Sequence, residues 1–396
     1  MGLRGAVSVW GATMSYVYLD HAASTPLDPR VREALGAALE EHFANPSSRH
    51  PLGLAASQAL ARARRQVASA LLVEPARVVF TSGGTEAVNL GVLGLARAAR
   101  SRGRRVVIGP TEHACVRGAA AALAREGFEV AVLRLDRNGE LDLEDAETKL
   151  TADTVLVAQM RANNEFGTLY PVEQLARLAR RRAPNARVFV DAVQAVGKLD
   201  CALSELGVDA LALSAHKLHG PKGAGALVLA GQTPLEPLLH GGGQEHGLRS
   251  GTENVAACVG LGLALELAES TRAAQSQRWS TLRERLVQRL RTIDGLRVLE
   301  PGARRLPSIV SIVWPGAPAQ VRLHHLERHR VFVSAASACQ ASKRELSPAL
   351  LALGLSDDEA RSTLRISMGR TTNESDIDAA AQAFELVAHE LEQAAG

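Results

Sequence analysis

The chain is poor in lysine, cysteine and aromatic side chains, and has no long hydrophobic run. Of its 45 basic residues only five are lysine (Lys149, Lys198, Lys217, Lys222, Lys343), so any lysine chemistry has few candidates. Its four cysteines (Cys115, Cys201, Cys258, Cys339) lie far apart with no C-x-x-C pair, which excludes a disulfide framework or a structural zinc site. A reducing, cytoplasmic setting and no bound metal are expected. The longest uncharged apolar stretch, Val255 to Leu265, falls well short of the roughly 20 residues of a membrane span. It reads as a buried helix. Residues 1–13 hold Arg4 but no sustained apolar region, so they do not resemble a secretory signal, and Met14 is a second possible start. Aromatics at 3% are too few for a stacking nucleic-acid platform, and the densest basic run, Arg97 to Arg105, ends a predicted helix where cations suit the dipole.

With 396 residues, 46% of them hydrophobic, and a net charge of +3, the chain has material for a sizeable core and more than one domain. Asp28-Pro29 is a cap and first-turn pair for a helix over 30–43. Strand-like runs follow at 77–81, 105–108, 129–134, 154–160, 187–190, 210–213 and 224–229, mostly separated by helix-length stretches. That alternation predicts a mainly parallel α/β sheet. Helices over 261–270 and 272–292 lead into a second set: strands at 308–313, 331–334 and 363–367, and helices at 320–329 and 374–393. The domain boundary is placed near 265.

In an open α/β sheet, ligands gather at the carboxyl ends of the strands, so the polar residues just after each run are the candidates. Ser82-Gly-Gly-Thr-Glu86 opens a helix and aims backbone N–H groups as a phosphate site would, although a tight βα turn needs no more. Glu112-His113, Asn163-Asn-Glu165 and Asp191-Ala-Val-Gln194 follow other strands. A carboxylate at the end of an apolar strand wants a cationic partner, which a pyridinium nitrogen supplies. The strongest candidate is Ala210-Leu-Ala-Leu-Ser-Ala-His-Lys217, because lysine rarely ends a buried strand for packing reasons. A desolvated lysine is a competent Schiff-base nucleophile, with Ser214 and His216 placed to hold a phosphate. The glycine-rich stretch His240 to Thr252 reads as a loop for close backbone approach. Ser337-Ala-Cys339 sits in a run of small polar residues, poor core material that exposes its thiol, whereas the other three cysteines read as small buried hydrophobes. Arg365 interrupts an apolar strand, as a carboxylate binder or as half of a structural ion pair.

These stretches, with Tyr18 to Pro26, Asn45-Pro-Ser-Ser48 and Arg365 to Arg370, resemble the cysteine desulfurase family, in order from about residue 16 to the C-terminus. The resemblance implies the type I pyridoxal-phosphate, aminotransferase-like α/β fold. Residues 1–15 would be an N-terminal extension, 16–265 the large cofactor-binding domain with a mainly parallel mixed sheet, and 266–396 a smaller domain carrying the catalytic cysteine loop. It also implies a homodimer. Lys217 would hold pyridoxal 5'-phosphate as a Schiff base, Asp191 would pair with its ring nitrogen, and Gln194 and Asn164 would contact the ring hydroxyl side. His113 would stack on the ring and assist proton transfer. Gly84, Thr85, Ser214 and His216 would bind the phosphate, joined by Thr252 of the partner subunit. Arg365 would bind the L-cysteine carboxylate, and Cys339 would take the sulfur as a persulfide, releasing alanine. The sulfur would pass to an acceptor protein, an iron–sulfur scaffold or a thiolation enzyme, with no direct nucleic-acid or membrane partner.

Four positions depart from the family pattern: Ala215 and Ala336 stand where it has glycine, His246 where it has arginine, and His21 where it has asparagine or tyrosine. None removes a catalytic atom. A selenocysteine lyase, another pyridoxal-phosphate lyase or an aminotransferase shares the fold, and Cys339 separates a desulfurase from an aminotransferase. A sulfur-trafficking scaffold without catalysis would not need Lys217, Asp191, His113 and Cys339 together.

Overall fold

The computed structural model of the chain describes residues 5–9, 12–335 and 346–395. Strands β1 (Gly5–Val9) and β2 (Ala12–Tyr18) pair antiparallel, and helices α1 (Pro29–Glu41) and α2 (Pro51–Ala70) follow. The Asp28 carboxylate caps α1 by accepting from the Arg30 N–H at 3.0 Å, as the Asp-Pro pair predicts. Helix α2 is absent from the predicted elements because most of its buried face, apart from Leu60 and Val67, is small (Gly53, Ala56, Ala59, Ala63, Ala68), which gives weak periodicity. Their smallness serves close approach: a β-carbon on Gly53 would stand 2.3 Å from the Ser48 carbonyl oxygen.

The central α/β unit runs β3 (Val78–Thr81), α3 (Gly84–Ala98), β4 (Arg105–Ile108), α4 (Ala114–Arg125), β5 (Glu129–Val132), α5 (Leu143–Lys149), β6 (Thr154–Met160) and α6 (Val172–Arg182). It continues through β7 (Arg187–Asp191), α7 (Leu203–Leu206), β8 (Ala210–Ser214) and β9 (Gly225–Leu229). The seven strands order as β3-β9-β8-β7-β6-β4-β5, with β9 antiparallel to both its neighbours and the other pairs parallel. Strand residues alternate between two cores: Leu211 and Leu213 of β8 join the α2 and α6 side, Ala210 and Ala212 the α3 and α4 side. A sheet covered on both faces explains why these strands read as continuous apolar runs.

One helix, α8 (Val255–Leu290, 36 residues), joins this unit to the rest, replacing the two helices expected there. The polar pair Ser270-Thr271, which reads as a break, instead turns both hydroxyls back onto the Leu267 carbonyl at 3.2 and 2.9 Å. The helix is therefore continuous through residue 265, where the sequence places a boundary. Its first part, to Ala268, packs in the sheet core, and Trp279 to Leu290 pack in another.

That second core also takes Leu19 from the N-terminal segment. The C-terminal elements are β10 (Arg297–Leu299), β11 (Ile309–Val313), α9 (Ala319–Arg328), β12 (Val331–Phe332), β13 (Ser334–Ala335), α10 (Pro348–Ala352), α11 (Asp357–Arg361), β14 (Thr363–Ser367) and α12 (Glu374–Ala395); α10 and α11 pack apart from this core, in a small cluster with Phe166 and Leu299. The sheet β10-β11-β14-β13 is antiparallel, and β12 pairs parallel with β2. The single strand expected at 331–334 is thus two short strands in different sheets. Among the described residues no helix is long and apolar enough to cross a membrane.

Candidate active site

A cavity of about 540 Å³ opens where β3, β6, β7 and β8 end and α3 begins. Gly83 caps α3 with φ 153°, and a β-carbon on Gly84 would lie 2.9 Å from Val193 and 3.2 Å from Ser214. Glycine at both positions thus lets the helix start lie directly on the sheet edge. The first-turn N–H groups of a helix lack intrahelical partners, so this end attracts an anion. Beside it the buried Ser214 hydroxyl has no hydrogen-bond partner among the described residues. Glu86 accepts from the Ser82 N–H at 2.7 Å and pairs with Arg249 at 2.8 Å, which ties the glycine-rich loop to this turn.

The opposite wall carries the titratable groups. Asp191 ends β7, buried, with the Val193 N–H donating to it at 3.0 Å. Burial raises its pKa, partly opposed by His113 and Lys217. A carboxylate so placed calls for a cation in the cavity. His113 caps α4, its Nδ1 accepting from the Cys115 N–H at 3.2 Å, which leaves Nε2 to carry the proton of the neutral ring. Burial lowers its pKa, with the Asp191 charge opposing. Lys217 follows β8 in a single 3-10 turn, and its ammonium donates to the carbonyls of Ala22 and Ala23 at 2.5 and 2.7 Å. His216 is lowered to about 4 by burial and then by Lys217, so it is a neutral ring at pH 7. Arg365 of β14 is almost wholly buried; its guanidinium pairs with Asp20 at 2.7 Å and donates to the Asn164 carbonyl at 3.0 Å. Its Nε–H has no partner among the described residues.

An anion-binding helix start, a buried carboxylate, a histidine and a lysine around one cavity match a known group of proteins. The aminotransferase class-V family model matches residues 17–380. A cysteine desulfurase of Pectobacterium carotovorum is 40% identical over 371 residues, covering 91% of this chain and 90% of its own. A cysteine desulfurase of Dictyoglomus turgidum is 37% identical over 376 residues, 95% of each chain. The chain belongs to the cysteine desulfurase family. A solved NifS-like protein superposes with a TM-score of 0.89 at 34% identity, covering 95% of this chain and 99% of that one. The type I aminotransferase-like fold expected from the sequence is the fold observed.

Of the residues that the family resemblance selects, Gly84, Thr85, His113, Asn164, Asp191, Gln194, Ser214, His216, Lys217 and Arg365 all line the one cavity. Thr252 does not: it is exposed, between the glycine-rich loop and α8. Cys339 and Ala336 lie outside the described residues. Asn163 is a turn former, its side-chain oxygen accepting from the N–H groups of Glu165 and Phe166 at 2.8 and 3.0 Å. Ala215, where the family has glycine, finds room because position 220 is glycine; a β-carbon there would stand 2.9 Å from its methyl. His21 packs its ring on Tyr18 at 4.9 Å and over Gly369, while His246 is exposed with φ 60°.

Three features have roles that the sequence does not assign. The Ala22-Ala23-Ser24 segment lines the cavity and holds the Lys217 ammonium. Cys115, expected as a small buried hydrophobe, is instead half-buried in the cavity wall with its sulfur 2.9 Å from His113 Nδ1. Glu165, next to Asn164, accepts from the Ser347 hydroxyl at 2.5 Å, and burial raises its pKa to about 7.

Because that folded value lies above the unfolded one, Glu165 binds its proton more tightly in the native chain. Its contribution to stability is complete below about pH 4.5 and is lost as pH rises toward 7. Glu165→Gln should therefore flatten the fall in melting temperature between pH 5 and 7, a contribution of at most ~3 kcal/mol. Parallel pH–stability curves for both proteins would contradict it.

Proposed function

We propose that the chain converts L-cysteine to L-alanine on pyridoxal 5'-phosphate held at Lys217, passing the sulfur to Cys339 as a persulfide. The observation that carries this reading is the convergence of Lys217, Asp191, His113 and the α3 start on one cavity. The residues present fit the cofactor. The unpartnered Ser214 hydroxyl, Thr85 and the α3 N–H groups suit its phosphate, and the buried Asp191 carboxylate suits a protonated ring nitrogen. When bound, pyridoxal phosphate supplies the electron sink that lets the carbon–sulfur bond of cysteine break.

The chain's own groups do the rest. Asp191 would hold the ring nitrogen in its cationic form, and the cavity volume falls within the range usual for small-ligand sites. His113, held neutral by burial and by its capping role, donates from Nε2 and later recovers the proton. Arg365, whose Nε–H is unspent, takes the substrate carboxylate while Asp20 keeps the guanidinium in place. The Cys339 thiolate forms an S–S bond to the substrate sulfur as the carbon–sulfur bond breaks. Cysteine and one thiol thus become alanine and one persulfide, with no outside oxidant. Thr252, exposed on its own chain, would complete the phosphate site of a partner subunit, which makes the active unit a homodimer. From Cys339 the sulfur would go to an iron–sulfur scaffold or a thiolation enzyme, and the separate free thiols Cys115, Cys201 and Cys258 fit a reducing cytoplasm.

The test is to incubate purified, cofactor-loaded protein with cysteine and a reductant and to measure alanine and sulfide, expected in equal amounts. Arg365→Gln should raise KM about 10- to 100-fold, the worth of one charge-assisted bond pair, with a smaller change in kcat. Alanine without sulfide, or no alanine at all, would overturn the reading.

A further inference from the structure

Behind the large cavity lies a second one of about 30 Å³, with room for about one water. Ala22, Gln194 and Lys217 line both and form the partition between them. Lys198, four residues after Gln194 on the turn that follows β7, lines only the small cavity. Contacts run through the partition without a break. Lys198 Nζ donates to Gln194 Oε1 at 3.1 Å, Gln194 Nε2 donates to the Ala22 carbonyl at 3.0 Å, and that carbonyl accepts from Lys217 Nζ at 2.5 Å.

We propose that Lys198 is a positioning residue for the reaction at Lys217, locking the Gln194 amide so that it offers an N–H, not an oxygen, to the large cavity. A primary amide can flip, exchanging donor for acceptor. Flipped here, its NH₂ would face the Lys198 donors and its oxygen would face the Ala22 carbonyl oxygen, two repulsive contacts in place of two hydrogen bonds. In the observed orientation one N–H is spent on Ala22 and the second remains for a ligand oxygen. This rests on the pyridoxal-phosphate reading, in which that oxygen is the ring hydroxyl. A donor to it favours its ionised form, and the positive charge of Lys198 acts in the same direction.

The surroundings support an amine with this duty. Facing it are His21 from the segment after β2, Lys217 and His219 from the segment after β8, Arg370 after β14, and Gln275 of α8. Glu269 of α8 is engaged with the Gly197 N–H at 3.2 Å. Among the described residues no carboxylate lines the small cavity, so Gln194 Oε1 is its uncharged substitute acceptor. Burial, and then the Lys217 charge, bring Lys198 down to about 7.

The experiment is a double-mutant cycle read by binding and by spectrum. Apo-protein is titrated with pyridoxal phosphate to obtain a dissociation constant, and the visible band of the loaded protein is titrated with pH. Lys198→Met should weaken binding about tenfold and raise the midpoint of the band by about one pH unit. In a Gln194→Met background the same change should alter affinity less than twofold, because its route is gone. Lys198→Arg, which keeps donors for Gln194, should stay within threefold of wild type, an outcome that lost packing would not produce and that stands even if Lys198→Met does not fold. Wild-type values in Lys198→Met, full additivity in the cycle, or an arginine variant as weak as a destabilised one would each overturn the proposal while leaving the cofactor assignment intact. A wild-type protein that takes up no pyridoxal phosphate would overturn both.

Discussion

Lys217→Ala should yield a protein that loses its cofactor on dialysis, shows no band that borohydride fixes to the chain, and forms alanine at least about 10³-fold more slowly. The size of the effect follows from where the amine stands. Lys217 leaves the end of β8 into the cavity, with the Ala22 and Ala23 carbonyls fixing its Nζ. On the proposed reading, its removal takes away the point of attachment. The two other lysines nearby are poor substitutes. Lys222 lines the cavity from the far side of the 220–223 turn, and Lys198 is spent on Gln194 behind the partition. The remaining non-covalent sites, Asp191 and the α3 start, should still bind the cofactor weakly, so the variant is expected to take it up in excess and release it. A borohydride-fixed cofactor mapped to Lys222 or Lys198 in this variant would refute the assignment.

Cys339→Ala should separate the two halves of the chemistry. Cofactor uptake, the visible band and its pH midpoint should match wild type, because none of the residues proposed to hold the cofactor is altered. Protein-bound persulfide after exposure to cysteine should vanish, and turnover should fall by ~10³-fold, the scale on which single catalytic groups act. Among the described residues, the thiol that lines the cavity is Cys115, half-buried against His113. Burial and the negative charges of Asp191 and Glu112 push its pKa up, which keeps it a thiol rather than a thiolate. It therefore should not replace Cys339. Persulfide retained in Cys339→Ala and lost on further change of Cys115 would reassign the acceptor.

Lys217, Asp191 and His113 were legible because each combines an apolar strand with a polar terminus, a pattern that packing alone does not favour. Gly84 and Thr85 were legible as the start of a helix after a strand. The role of Ala22 to Ser24 was not, since it is exerted through backbone carbonyls, and a carbonyl has no signature in a list of side chains. Cys115 looked like core material because its distinguishing neighbour, the His113 ring, is fixed by the α4 cap. The continuous α8 was obscured by Ser270 and Thr271, whose hydroxyls compete for backbone bonds in either direction and here happen to serve the helix.

The sequence by itself determined which residues stand at the strand ends, the family, and the strand-and-helix alternation of the large sheet. Those properties are local: they depend on periodicity, on glycine at special backbone positions and on short polar motifs. Only the tertiary structure decided that Arg365, 345 positions from Asp20, pairs with it at the cavity. It also decided that one helix serves two cores and that Lys198 and Lys217 are linked through the Gln194 amide and the Ala22 carbonyl. These depend on distances between segments far apart in the chain, and on how much water each group loses when they meet. Burial of Asp191, His113 and Glu165 sets their proton affinities, and burial is a property of the assembled molecule.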